Sequence, residues 1–272
     1  LKYTIDDRGL AAFRAEVERR AGVTLEEPEA FAFDSTGDRY GWVEREGGRS
    51  HLTLFVENGR VHDIAGGKSL MTGLREIARQ HDGDIRLTGN QNVIIANVAK
   101  KNRAAIERLA TEHGLLAPTS ALRRNAMACV ALPTCGLALA ESERYLPDLI
   151  TALDERLAAH DLSADDIVIR MTGCPNGCAR PYISEIGLVG KGPGRYNLYL
   201  GAAFDGSRLS KLYAEDLQND EIIARLDPLF AAYASDRIAG ERFGDFVIRA
   251  GYVAQTGNGR DFHESTGPRR AT

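Results

Sequence analysis

Hydrophobic positions recur at helical spacing over residues 4–22, which predicts an amphipathic helix near the start of the chain. The following stretch, 23–39, has no such period and carries the breakers Pro28 and Gly37, so a loop is expected there. A strongly patterned region begins at residue 40.

Residues 40–115 carry the pattern of an antiparallel sheet covered by helices. Short apolar runs predict five strands, at residues 40–43, 51–56, 61–64, 85–87 and 92–98. The Asn58-Gly59 pair predicts a tight hairpin turn between the second and third runs. Helical periodicity appears over 69–80 and 101–113. With the short first run set aside, the order strand, strand, helix, strand, strand, helix predicts an α+β domain with helices on one face of the sheet.

The pattern changes near residue 116. We expect a loop over 117–135, a helix over 137–160 broken at Pro147, and a helix over 219–238. Four strands are predicted, at residues 167–171, 186–189, 196–200 and 246–250. This second domain is expected to be α/β, and the polar, Gly-rich stretch from residue 255 predicts a loose tail.

Composition and charge narrow the classes of function. The chain has 272 residues, enough for one large domain or two ordinary ones. Its 34 basic and 38 acidic side chains give a net charge of −4, which argues against nucleic-acid binding, because that function needs a basic surface. No apolar run approaches the roughly 20 residues that cross a bilayer, and no secretory signal is recognisable, so we expect a cytoplasmic protein without a membrane partner. Because the chain begins at Leu1 rather than Met, we expect a piece of a longer protein.

The four cysteines form two close pairs, Cys129 with Cys135 and Cys174 with Cys178. Four are too few for a disulfide scaffold in a chain of this length, and the paired spacing indicates a metal or cluster site rather than thiols packed in a core. Structural zinc sites pair cysteines two to four residues apart, and the first pair here has five residues between its members. Spacing therefore favours an iron–sulfur cluster, with a four-cysteine zinc structural or interaction domain as the alternative.

The loop of the second pair has residues that suit a cluster. Gly173 and Gly177 allow backbone N–H groups to approach cluster sulfides, because no side chain intervenes. Pro175 stiffens the loop, and Asn176 tolerates left-handed backbone and can donate a hydrogen bond.

Two segments carry a specific resemblance. ACVALPTC at 128–135 and TGCPNGC at 172–178 resemble the sirohaem and iron–sulfur signature of the nitrite/sulfite reductase family. GLVGKGPGRYN at 187–197, HLTLF at 51–55 and NQN at 90–92 extend the resemblance over nearly the whole chain. The details are most similar to the sulfite-reducing members of the family.

The resemblance implies a coupled metal centre. Cys129, Cys135, Cys174 and Cys178 would ligate a [4Fe–4S] cluster, and Cys178 would be the catalytic thiolate shared with the sirohaem iron. The implied reaction is the six-electron reduction of sulfite to sulfide in sulfur assimilation and cysteine biosynthesis. An assimilatory nitrite reductase with the same cofactors is the nearest alternative.

Further cofactor-binding residues are expected around that centre. Asn176 is expected to contact the cofactors from the second cysteine loop. Gln91 and Asn92 are candidates for hydrogen bonds to the sirohaem or cluster edge, or else are polar strand-start residues facing water. Arg123, Lys191 and Arg195 are candidates for ion pairs with sirohaem carboxylates, or else are surface residues.

The resemblance also implies partners and domain boundaries. No dinucleotide-binding fingerprint is present, so electrons would come from an NADPH-oxidising flavoprotein subunit or from ferredoxin. The chain resembles the carboxyl-terminal half of the family's proteins, so the amino-terminal half of the same protein is an expected partner. Residues 1–39 would be the end of a middle domain plus a linker, 40–115 a ferredoxin-like half-domain, and 116–272 the sirohaem and cluster domain.

Overall fold

The computed structural model of the chain describes residues 1–31, 35–259 and 261–263. Two helices begin the chain, α1 (Lys2–Arg8) and α2 (Leu10–Ala21). Gly9, with φ of 81°, separates them, so the helix predicted over 4–22 is two helices, because a right-handed helix contains no positive φ. α2 buries no residue, and Leu10 on its apolar stripe is 68% exposed.

The first sheet has four antiparallel strands in the order β1-β2-β4-β3. The strands are β1 (Gly41–Glu44), β2 (Arg49–Leu54), β3 (Asp84–Leu87) and β4 (Val93–Ala99). The helices α3 (Leu70–Gln80) and α4 (Lys100–Glu112) share one hydrophobic core with the sheet. Leu52, Ile77, Ile95 and Ile106 are fully buried in that core. The predicted α+β class is confirmed.

The strand predicted at 61–64 is wrong. Asn58 and Gly59 do turn the chain, with φ of 51° and 72°. However, β2 is paired on one side with β1 and on the other with β4, so it has no free edge for a hairpin partner. After the turn, the chain makes an isolated bridge between Asp63 and Ser69. The short first run of the region, β1, completes the sheet instead.

The second sheet has five strands in the order β5-β6-β7-β8-β9. They are β5 (Ala126–Ala128), β6 (Ile169–Thr172), β7 (Ile186–Gly192), β8 (Arg195–Leu200) and β9 (Lys211–Leu217). β5, β6 and β7 are parallel, and β8 and β9 continue the sheet antiparallel. The helices of this region are α5 (Ala121–Arg124), α6 (Leu146–Ala159), α7 (Asn219–Asp236) and α8 (Phe243–Arg249). α6, α7 and α8 bury their apolar faces in one core with the sheet.

Several predictions for the second region are corrected by the structure. β5 and α5, with three and four residues, are too short to show a period, and β9 was also missed. α6 begins at Leu146 rather than at residue 137, because Pro147 fits only in the first turn of a helix. The strand predicted at 246–250 is helix α8, whose buried Phe243 and Phe246 stand at helical spacing.

The end of the chain is packed as far as the structure describes it. Phe262 is 4% exposed, and its ring centroid lies 4.9 Å from that of Tyr182. The Gly257 N–H donates to the Asp261 carboxylate at 2.8 Å. The loose tail predicted from residue 255 is therefore wrong up to residue 259 and for 261–263, and 264–272 lie outside the described residues. No described helix is long and apolar enough to cross a membrane.

Candidate functional site

The two cysteine pairs lie at one edge of the second sheet. Cys129 directly follows β5, and Cys174 follows β6 after one glycine. Since β5 and β6 are parallel, their carboxyl ends meet at the same edge. Open α/β sheets bind their ligands at that edge. The loops 129–135 and 173–178 therefore bring the two cysteine pairs, far apart in sequence, to one place.

Hydrogen bonds join the two loops directly. The Gly173 N–H donates to Cys129 Sγ at 3.3 Å, and the Thr172 hydroxyl lies 3.5 Å from the same sulfur. The N–H groups of Leu139 and Ala140 donate to the Gly173 carbonyl at 2.8 and 3.0 Å. N–H groups directed at cysteine sulfur are among the interactions that tune iron–sulfur centres.

Glycine is required where the loops approach each other. A Cβ at Gly173 would lie 2.6 Å from both the Ala131 Cβ and the Ala140 carbonyl oxygen. A Cβ at Gly190, on β7, would lie 2.5 Å from the Gly173 carbonyl oxygen. Gly173 is thus needed for loop packing, a reason that sequence reading missed. Asn176 lies exposed in the same loop, and its contact with the cofactors stays a prediction.

The four thiols are free and differ in exposure. Cys174 is buried, Cys129 and Cys135 are half-buried, and Cys178 is exposed. Among the residues that the structure describes, no three His, Cys, Asp or Glu side chains are grouped closely enough to hold one metal ion. Four thiols on two facing loops are the donor set that an iron–sulfur cluster uses, so the chemistry of the residues fits that group. Zinc accepts the same donors and stays the alternative.

The β3–β4 turn of the first sheet contacts a residue next to each cysteine loop. The Gln91 Nε2 donates to the carbonyl of Ala128, the residue before Cys129, at 2.8 Å. The Arg180 Nη2, two residues after Cys178, donates to the Gly89 carbonyl at 2.6 Å. Gln91 Oε1 is buried and has no partner within the described residues. Gln91 therefore does not face water as a strand-start residue would, and its cofactor contact stays a prediction.

Asn92 is 1% exposed and occupied by its own domain. Its Oδ1 accepts the Val56 N–H at 2.9 Å, and its Nδ2 donates to Asp38 at 2.7 Å and to the Tyr40 hydroxyl at 3.0 Å. Burial, then Asp38, raises the pKa of Tyr40 to about 12, so this hydroxyl stays protonated at neutral pH. These contacts give Asn92 a structural role in the first sheet.

The three predicted basic residues all have acidic partners. Arg123 is half-buried and pairs with Glu57 across the two regions. Lys191 Nζ lies 3.6 Å from Glu215, and Arg195 pairs with Asp216 through bonds of 2.7 and 2.5 Å. Lys191 and Arg195 flank the β7–β8 turn, at the same carboxyl edge of the parallel strands as the cysteines. The ion pairs with sirohaem carboxylates that we expect for Arg123, Lys191 and Arg195 stay predictions.

Sequence reading missed Arg170. It is 7% exposed, and burial followed by the nearby Arg180 lowers its pKa to about 10. Its Nη1 is buried without a hydrogen-bond partner in the described part of the chain. Ile169 and Met171, on either side of Arg170, belong to the core that the second sheet shares with α6, α7 and α8. Because side chains alternate along a strand, Arg170 faces the opposite side of the second sheet. That alternation in β6 was the signal available in the sequence.

Glu143 is a second residue whose place the sequence left open. It is 8% exposed, pairs with Arg60, and accepts the Asn58 Nδ2–H at its backbone carbonyl at 3.1 Å. The Glu143 N–H in turn donates to the Cys129 carbonyl at 3.1 Å. Glu143 therefore ties the Asn58-Gly59 turn of the first region to the first cysteine loop.

Comparison with known proteins adds a family. The model of the Nitrite/Sulfite reductase ferredoxin-like half domain matches residues 43–113, which contain the first sheet from the middle of β1 onward and both of its helices. The chain is 69% identical over 271 residues to the sulfite reductase (NADPH) hemoprotein beta-component of Methylobacterium sp. (strain 4-46), covering 100% of this chain and 45% of that protein. The protein of the same name from Shewanella frigidimarina (strain NCIMB 400) is 56% identical over 265 residues, which are 97% of this chain and 47% of that protein.

A solved structure shows the same fold over a similar span. The Mycobacterium tuberculosis NirA protein matches with a TM-score of 0.73 and 25% identity, covering 92% of this chain and 48% of that one. The chain spans about half the length of the curated relatives it matches. The chain is therefore similar to the sulfite reductase hemoprotein beta-components over about half of their length, and its residues 43–113 match the nitrite/sulfite reductase ferredoxin-like half-domain family.

Proposed function

We propose that this chain is the carboxyl-terminal half of a sulfite reductase haemoprotein, which reduces sulfite to sulfide with six electrons. The observation that carries the proposal is the meeting of two cysteine loops at the carboxyl edge of β5 and β6, joined by the bond from Gly173 to Cys129 Sγ. The names of the relatives support the same reaction, and this chain covers about half of their length.

The four cysteine thiolates would hold a [4Fe–4S] cluster. Cys178 is the exposed thiol, so it is the one free to share its sulfur with a sirohaem iron as well. The bound group would supply stored electrons and an open iron position for sulfite. The chain's own part is to fix the sulfurs: Gly173 allows the loops to touch, and the Gln91 amide holds the Ala128 carbonyl beside Cys129.

Basic groups near the same edge would manage negative charge. Arg180 lies two residues after Cys178 and contacts the first region, and the nearby Arg170 has a buried Nη1 that finds no partner among the described residues. Lys191 and Arg195 flank the adjacent turn and could exchange their acidic partners for sirohaem carboxylates. Guanidinium groups pair strongly with carboxylates, because two parallel N–H bonds form at once.

The proposed partners follow from the names of the relatives and from the part of their length that this chain matches. An NADPH-oxidising flavoprotein would deliver electrons, since the relatives are named as NADPH-dependent hemoprotein components; ferredoxin is the alternative donor. The amino-terminal half of the same haemoprotein would complete the substrate face. We place the protein in the cytoplasm, where four free thiols stay reduced.

The first test is a visible spectrum of the anaerobically purified chain, with iron, sulfide and zinc quantified in the same sample. Sirohaem bands with about five irons per chain support the coupled centre, and about four irons without haem bands support the cluster alone. Cys178→Ser should abolish coupling between haem and cluster, while Cys135→Ser should lose the cluster. One zinc per chain, or iron content that neither substitution changes, would overturn the proposal.

The substrate is tested by turnover with a reduced viologen dye. Sulfite and nitrite are compared as substrates, because the matched family covers both reductases. The chain is assayed alone and after mixing with a separately expressed amino-terminal half of the Methylobacterium relative. Sulfide production that needs both halves supports the proposal, and reduction of nitrite but not of sulfite by the mixture contradicts it.

A further inference from the structure

Tyr182 lies directly beneath the loop of the second cysteine pair. A Cβ built on Gly177 would lie 3.1 Å from Tyr182 Cε2, so the ring packs against the backbone of the loop. The Tyr182 hydroxyl donates to the Pro175 carbonyl at 3.3 Å. Burial raises the pKa of Tyr182, so the hydroxyl keeps the proton that it donates.

The ring is fixed from below by other aromatic residues. Tyr199 and Phe262 meet it edge-on, with centroid separations of 5.2 and 4.9 Å, and both are almost completely buried. The Tyr182 backbone carbonyl accepts the Ser210 N–H at 2.8 Å. The end of the described chain thus forms part of a rigid support for Tyr182, because an aromatic ring in such packing has few alternative rotamers.

This contact fixes the direction of one peptide unit. The Pro175–Asn176 bond is trans, and in a planar trans peptide the N–H points opposite to the carbonyl. Since Tyr182 holds the Pro175 carbonyl, the Asn176 N–H is directed away from Tyr182. Within the described residues, no backbone carbonyl accepts this N–H, whereas the next one, on Gly177, donates to the Cys174 carbonyl at 3.4 Å.

We propose that Tyr182 is a positioning residue for the metal centre: its hydroxyl holds the Pro175 carbonyl so that the Asn176 N–H is presented to the cysteine sulfurs. This inference rests on the proposed function, because it assumes that the sulfurs carry a cluster. Hydrogen bonds to cluster sulfurs favour the reduced state, since reduction adds negative charge there. Without the anchor the peptide can rotate, and reduction becomes harder.

The test compares Tyr182→Phe with the unmodified chain and with Tyr233→Phe. Tyr233 serves as the control, because its hydroxyl also donates to a backbone carbonyl, that of Glu241, at 2.8 Å, while the residue lies away from the cysteine loops in the core of the second sheet. Each protein is reconstituted anaerobically with iron and sulfide. The reduction potential of the cluster is then measured in a redox titration that is followed spectroscopically. We expect Tyr182→Phe to keep its iron and to shift the reduction equilibrium several-fold toward the oxidised state; tenfold would be about 59 mV for one electron. Tyr233→Phe should leave the potential unchanged.

A second measurement does not need the cluster. Hydrogen exchange of the apo chain should become faster over residues 174–179 in Tyr182→Phe and stay unchanged there in Tyr233→Phe. Equal potentials in all three loaded proteins overturn the presentation of the N–H, and equal exchange overturns the anchoring itself. A chain that accepts no cluster at all overturns the proposed function, and the exchange result then decides whether Tyr182 holds the loop.

Discussion

The two sheets contribute in different ways to the carboxyl edge of β5 and β6, where the cysteine loops lie. The second sheet supplies all four thiols from loops at or near the ends of its parallel strands β5 and β6. The first sheet supplies no thiol, and it contacts those loops through the Gln91 amide and the Gly89 carbonyl. One region carries the candidate ligands, and the other restrains the backbone on which they stand. A domain that contributes no cysteine therefore still helps to position the thiols of the candidate site.

The largest effect that would sharpen this comparison is expected at Gly173. Gly173→Val places carbon atoms 2.6 Å or less from the Ala140 carbonyl, so the two loops must separate. Such overpacking costs about 3 kcal/mol or more. Thermal unfolding should show a much less stable protein. Iron analysis of the same variant should show that it takes up no iron.

The matched control lies in the turn of the other region. A Cβ at Gly89 meets nothing within 4 Å, so Gly89→Ala should unfold like the unmodified chain. If Gly173→Val is as stable as Gly89→Ala, the close contact of the cysteine loops does not exist in solution.

The two regions also differ in what the sequence could predict. Helical periodicity predicted both helices that cover the first sheet, because each buries one face in the core, and short apolar runs predicted the positions of its four strands. The apolar run at residues 61–64 failed to predict a strand, since which strand occupies each edge of β2 depends on residues far away in sequence. In the second region the cysteine spacing predicted a candidate site, and the structure places both pairs at one edge of the sheet, whereas β5 was too short to show a pattern. Contacts such as Gln91 to Ala128 join distant segments, and no local signal encodes them.

A second prediction concerns a carboxyl group that belongs to the second region alone. Glu185 is fully buried and accepts the N–H groups of Val168 and Gly244, each at 2.9 Å. Burial raises its pKa from 4.5 to about 7. A raised folded pKa means that the protonated form is favoured, so its contribution is fully present below pH 4.5 and is lost as the pH rises to about 7. The loss is roughly 3 kcal/mol.

Chemical unfolding at several pH values measures this contribution. Glu185→Gln removes the titratable group and keeps one of its two accepting oxygens, so the pH dependence is the quantity compared: the stability of the unmodified chain relative to this variant should fall between pH 4.5 and 7. Metal uptake should change little, because Glu185 contacts neither cysteine loop among its hydrogen-bond partners. A difference that is constant with pH would show that Glu185 titrates normally.

A smaller effect is expected where the two regions are joined. Glu143→Gln removes the charge that pairs with Arg60, whose side chain is 40% exposed, so about 1 kcal/mol of stability should be lost. The double variant with Arg60→Gln measures the coupling free energy of the pair. Additive losses in that cycle would mean that Glu143 connects the regions only through its backbone bonds to Asn58 and Cys129.

The smallest change in stability is expected at the β7–β8 turn. Substitutions there distinguish a role in folding from a role in binding sirohaem. Arg195 and Lys191 are about half exposed and already pair with Asp216 and Glu215. Exposed pairs of this kind contribute little to folding, since solvent screens them and ordering the side chains costs entropy. Arg195→Gln and Lys191→Gln should therefore leave the unfolding curve unchanged.

If these residues also bind sirohaem carboxylates, each substitution should weaken sirohaem uptake several-fold while cluster content stays constant. Arg86→Gln is the control, because Arg86 also pairs with an exposed acid, Asp84, on the edge strand β3. Sirohaem uptake equal to that of Arg86→Gln would leave the pairs as surface features and confine cofactor binding to the cysteine loops.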